Sequence, residues 1–143
     1  MIKKYVERWD NKSIFLREFY ELTLRDTVQS YDDIVRNLFQ IVINDVDGFV
    51  RDTFSTDKMT VIDDGDYQGA LIYVVPNNAY QPRLDDYVFI EVFYGSCSGC
   101  DTLQQIKELN DYESEHFTER QVDDLMSLSL NIIQSIKSFK EGK

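Results

Sequence analysis

The sequence predicts an α+β fold: a small antiparallel sheet, made of a hairpin plus a central strand, packed by N-terminal helices and a long C-terminal helix. Three observations predict it. Apolar residues recur at three- and four-residue spacing towards both ends of the chain, the middle switches to runs of Val, Ile and Tyr, and an Asp-Gly turn joins two of those runs. Strands grouped in the middle with helices outside bury their apolar faces against each other.

Residues 3–24 read as the first helix. Tyr5, Trp9, Leu16, Phe19 and Tyr20 mostly keep helical spacing, although the match loosens at 11–13, and 19–24 also suits an extended chain. Ser30 is placed to cap a second helix, with Asp33 three residues on as in a capping box. Its stripe of Ile34, Leu38, Ile41 and Val42 runs out near Asp45. Residues 58–62 and 67–75 read as strands joined through Asp63-Asp64-Gly65-Asp66. Gly accepts positive φ and Asp tolerates it, so Asp-Gly marks a hairpin turn. Residues 87–94 form a third strand whose near-continuous apolar character predicts a central position, covered on much of both faces. Residues 101–109 suit a short helix. Thr118 and Gln121 form a capping box for the last helix, whose apolar spacing continues through Ile136 and Phe139. Lys137 and Lys140 then fall in final turns, where cations favour the helix dipole. No repeat, low-complexity tract or linker interrupts residues 1–143, which read as a single α+β domain.

Composition narrows the function classes. Apolar residues at 43% and aromatic residues at 13% supply ample core, so the 143-residue chain needs neither disulfide nor metal to fold. Lys and Arg number 15 against 26 Asp and Glu, a net charge of −11. Such a surface repels phosphate backbones and anionic lipid, which argues against direct nucleic-acid or membrane binding. It suits solubility, or docking on a basic protein surface. No apolar run reaches membrane-spanning length, and the N-terminus has no signal-type segment, so a cytoplasmic location is expected.

Two segments could carry chemistry. In Tyr94-Gly95-Ser96-Cys97-Ser98-Gly99-Cys100-Asp101-Thr102, a Cys-x-x-Cys follows a strand and precedes a helix. A helix N-terminus stabilises thiolate, so Cys97 suits a nucleophile and Cys100 a resolving thiol. The arrangement superficially looks like the thioredoxin active site. A thioredoxin needs a cis-proline strand afterwards, and no proline follows Pro82, so that fold is rejected. Packing thiols in a tight Gly-rich loop are the plainer reading. A structural zinc site wants four ligands; Cys97 and Cys100 supply two, His116 a third, and Asp101 or Glu115 the fourth. No metal or other cofactor is expected, and His116 reads first as a surface residue. The second segment, Asp63-Asp64-Gly65-Asp66-Tyr67-Gln68-Gly69, holds three carboxylates in four residues. It lacks the spacing of an EF-hand, so a hairpin with solvated aspartates is the plain reading. Gln68 places an amide beside the turn, and Gly69 admits close approach of a backbone or ligand. The candidate functional loop is where these segments meet: Asp63, Asp64, Asp66, Tyr67, Gln68, Ser96, Cys97, Ser98, Cys100 and Asp101.

Residues 62–69 (IDDGDYQG) and 94–104 (YGSCSGCDTLQ) together resemble a family of small bacteriophage and prophage proteins. Tyr5-Val6-Glu7-Arg8-Trp9 and the closing amphipathic helix are similar too. The resemblance implies a phage setting, with a host-cell cytoplasmic location, and no particular reaction. By analogy, a phage setting points to binding and redirecting host machinery or host defences. The expected function is binding of a protein partner with a basic surface, without catalysis, through an acidic face including Asp63, Asp64, Asp66, Asp85 and Asp86. The alternatives are a thiol-redox or metal-dependent protein using Cys97 and Cys100, and a small-ligand binder between the hairpin and the Cys loop.

Overall fold

The computed structural model describes residues 2–44, 53–64, 69–78, 83, 86–94, 106 and 115–138. Among the described residues, α-helices and strands follow in the order α1 (Ile2–Leu22), α2 (Tyr31–Leu38), β1 (Thr60–Asp64), β2 (Gly69–Pro76), β3 (Tyr87–Tyr94), α3 (Glu119–Gln134) and β4 (Lys137–Ser138). The fold is α+β, as the sequence predicts.

Both expected capping boxes form. Asp33 Oδ2 accepts the backbone N–H of Ser30 at 3.3 Å and that of Gln29 at 2.9 Å. Gln121 Oε1 accepts from Thr118 N at 2.9 Å, while Thr118 Oγ1 accepts from Gln121 N at 3.2 Å. Each box satisfies N–H groups that a helix start leaves without partners. Gln121 is fully buried and also donates Nε2–H to the Ile106 carbonyl at 2.9 Å. Of the expected 101–109 helix, only Ile106 is among the described residues; it is helical and buried.

α2 buries Tyr31, Ile34, Val35 and Leu38, then widens into a π-helical turn, Phe39–Ile43, closed by Asn44 N donating to Phe39 O at 2.8 Å. Arg8 and Lys12, one turn apart on α1, donate to the terminal carbonyls of this turn. Arg8 reaches Ile43 O, and Lys12 Nζ reaches Asn44 O at 2.9 Å. Cations at a helix C-terminus complement its dipole and satisfy its last acceptors. The Asn44 side chain donates to Phe54 O at 2.9 Å and accepts from Phe54 N at 2.8 Å.

The sheet order is β1-β2-β3-β4, antiparallel throughout. Tyr73 pairs with Ile90 and Val75 with Val88; all four are buried and point to the same face. Helices cover that face: α3 packs on β3, and Tyr73 Oη donates to Asp32 Oδ1 on α2 at 2.6 Å. α1 lies against α3 and the π-turn. Buried residues from Tyr5 to Ile136 form one core cluster.

Two expectations are corrected. β3 is central, but its outward face is covered only in part: Val88, Ile90 and Val92 are buried and Phe89 is half-buried, whereas Glu91 and Phe93 point outwards and are exposed. The last helix stops at Gln134. Ser135 Oγ donates to Ile132 O at 2.7 Å, and Lys137–Ser138 then pairs with Val88 and Phe89 of β3. Lys137 therefore sits on a strand, where it has no helix dipole to complement. The strand supplies β3 with backbone partners that helix continuation would have denied it. Phe139 and Lys140 lie outside the described residues.

Candidate functional site

The sheet register brings the described residues of the two sequence-predicted segments, Asp63, Asp64, Gly69 and Tyr94, to one end of the sheet. Asp64 pairs with Ala70 and Gly69 with Tyr94, so β1 and β3 end at the same end of the sheet, on either side of the start of β2. Asp63 is exposed on β1. Asp66, Tyr67, Gln68, Asp85, Ser96, Cys97, Ser98, Cys100 and Asp101 lie outside the described residues. Among the described residues, no group of three or more His, Cys, Asp or Glu is placed to hold a metal. His116 is exposed, bridges to Leu24 in a short antiparallel pairing, and has Nδ1 3.0 Å from Thr23 O, which accepts its proton. That tethers it at the α1–α3 junction.

Asp86 does not belong to a solvent-facing acidic patch. It is 5% exposed, and its carboxylate accepts from Asn77 Nδ2 at 3.1 Å and from Arg83 N at 2.9 Å. Asn77 N in turn donates to Asp86 O at 2.9 Å. A buried carboxylate with this many donors fastens the end of β2 to the start of β3 and is unavailable to a partner.

The outward face of α1 has a different character. Leu16 and Tyr20 turn inwards and are fully buried, which sends Ile14 and Leu22 to the far side of the helix, two turns apart, with Phe15 beside them. Leu22 is 78% exposed, Phe15 56%, Ile14 55% and the following Leu24 48%. Glu18 stands between Ile14 and Leu22, and Glu21, Asp26, Glu115, Glu119 and Asp123 are also exposed around this end of the helix. Arg17 is held by Asp123 at 2.7 Å, with Glu21 and Glu119 close enough to favour its charge. The Asp123 hydrogen bond outweighs the opposing desolvation and, with the charges of Asp123, Glu21 and Glu119, keeps the Arg17 guanidinium more firmly protonated than usual. Arg8 and Lys12 point their charges at carbonyls of the π-turn. The solvent side of α1 thus interleaves apolar and acidic side chains, with Glu18 between Ile14 and Leu22.

No protein-family model, curated protein or solved structure matches the chain.

Sequence reasoning read α1 for its core stripe and missed this outer face. The signal was present: Ile14, Phe15, Leu16, Phe19, Tyr20, Leu22 and Leu24 are too many apolar residues for one stripe, and a helix apolar all round needs cover on more than one side. Among the described residues, no helix is long and apolar enough to cross a membrane.

Proposed function

We propose that the chain is a small acidic accessory protein of phage type that acts by binding a protein partner, without catalysis. The partner carries an apolar surface interspersed with Lys and Arg, as a component of host machinery or host defence. The observation that carries this reading is the outward face of α1, where Ile14, Phe15, Leu22 and Leu24 are about half exposed or more, amid Glu18, Glu21 and Asp26. Exposed apolar surface marks interaction sites, and charges interleaved with it steer encounter with the opposite sign. The phage setting rests on the resemblance of residues 62–69 and 94–104. The acidic face moves accordingly from Asp86, which is buried, to α1 and the start of α3.

The test is affinity capture from bacterial lysate, followed by reconstitution with the purified captured protein. The expected complex weakens roughly tenfold or more between about 50 and 500 mM NaCl. Glu18→Lys with Leu22→Asp abolishes it, while Cys97→Ser with Cys100→Ser leaves it intact. A complex indifferent to the α1 variant sinks the reading. Loss in the double Ser variant, with the fold retained, turns attention to the Cys-x-x-Cys loop.

A further inference from the structure

Two buried hydroxyls on different helices have no hydrogen-bond partner among the described residues: Tyr20 Oη on α1 and Ser129 Oγ on α3. Both residues are 0% exposed. Burial raises the Tyr20 phenol, and the Asn37 and Ser129 side chains partly offset that, which places both beside its oxygen. One residue from each helix therefore meets where α3 packs on α1 and on α2: Tyr20, Asn37 and Ser129. A buried polar group without a partner forfeits its hydration and gains nothing in return, and native interiors leave few of them. Ser129 has a local alternative that it does not use. A helical serine can bond back to a carbonyl of the preceding turn, as Ser135 does in donating to Ile132 O at 2.7 Å. The Ser129 hydroxyl faces the helix junction instead. The Tyr20 ring is edge-on to Phe19 at 5.5 Å and to Phe117 at 6.3 Å, which holds its oxygen in place.

We propose that this junction is a binding site for a single buried water molecule that bridges Tyr20 Oη, Ser129 Oγ and the Asn37 side chain. Water brings two donors and two acceptors; each hydroxyl offers a donor and lone pairs, and the amide offers both kinds. About three hydrogen bonds is the usual complement of a buried water. An apolar guest would leave both hydroxyls unsatisfied. The bridge ties α1, α2 and α3 together by directional bonds inside an otherwise apolar cluster, which fixes their relative rotation more narrowly than apolar packing does.

The first test is a crystal structure of the full chain at about 1.5 Å, expected to show an ordered water within about 3.2 Å of both Tyr20 Oη and Ser129 Oγ. The second is magnetic relaxation dispersion of water in solution. The Tyr20→Phe, Ser129→Ala double variant is expected to lose one long-lived water relative to the wild type, because an apolar cavity stays dry. Tyr20→Phe alone leaves Ser129 and the water short of a partner, and should lower the thermal midpoint by several degrees. The same change made in a Ser129→Ala background should cost less, a comparison in which the helix propensity gained at position 129 cancels. A direct Tyr20 Oη–Ser129 Oγ bond with no water beside it overturns the proposal. So does a midpoint that rises in Tyr20→Phe, as removal of a truly orphaned hydroxyl would produce. Should the double variant fail to fold, the crystal structure and Tyr20→Phe still decide.

Discussion

Phe39→Ala is expected to cost about 3–5 kcal/mol of folding stability, the range for deleting a buried aromatic ring. Phe39 is fully buried at the start of the π-turn, edge-on to Phe54 with ring centroids 5.6 Å apart, and Phe54 is edge-on to Tyr5 at 6.3 Å. The ring therefore links α1, the π-turn and the residue clamped by Asn44. Its loss leaves a void that fully buried neighbours such as Leu38 and Ile43 are too tightly packed to close. Native domains are stable by only about 5–15 kcal/mol, so the variant loses about a fifth or more of its margin. Urea unfolding followed by circular dichroism measures this. Phe93→Ala, at an exposed position, is the comparison and should change stability by less than about 0.5 kcal/mol. A loss below about 1 kcal/mol for Phe39→Ala would show that the Phe39–Phe54–Tyr5 stack is not part of the core.

The second large effect is alkaline destabilisation. Burial pushes the Tyr20 phenol up to about 12 from its ordinary 10.0. Burial likewise raises Tyr73, helped by the hydrogen bond it donates to Asp32 and by that carboxylate's charge. Both folded-state values lie above the unfolded one, so the neutral phenol is the form the fold favours. Their contribution is fully present below pH 10 and is lost as pH rises beyond it, because the unfolded chain releases protons that the folded chain retains. Each tyrosine should steepen the decline by about 1.4 kcal/mol per pH unit above pH 10. Denaturant titrations from about pH 8 to pH 12 should show a plateau and then this fall. Tyr20→Phe and Tyr73→Phe should each flatten the fall by about half, which separates the tyrosines from lysine titration and general charge repulsion. A slope unchanged in both variants would place the two phenols in water.

What was legible in the sequence was local. The Ser30–Asp33 and Thr118–Gln121 boxes each lie within four residues, and residues 87–94 announce a strand by composition alone. What was not legible depends on distant partners. Helical spacing through Ile136 continues past Gln134, but β3 needs hydrogen-bond partners on its β4 side, and those decide where α3 ends. Hydrophobicity shows that α1 has apolar residues to spare, without showing which of its faces α3 and the π-turn will cover. Asp86 reads as charge in the sequence, while its donors Asn77 and Arg83 take it out of solvent. Of the expected loop site, the structure supplies the adjacent strand ends and Asp63; the cysteines and Gln68 lie outside the described residues.

The Asn44 amide has a consequence for engineering. By donating to Phe54 O and accepting from Phe54 N, it takes the part of a strand's peptide group, and it locks positions 44 and 54 together whatever lies between them. The segment between them is thereby held at its two ends by the Asn44 side chain. Lengthening the intervening segment should then cost only the slow logarithmic entropy of a longer closed chain, about 0.6 kcal/mol per doubling. A peptide epitope or a fluorophore-binding tag grafted between residues 44 and 54 is expected to leave the thermal midpoint nearly unchanged, provided Asn44 stays. The same graft in an Asn44→Ala background has lost its clasp, and should unfold at lower temperature as the insert grows.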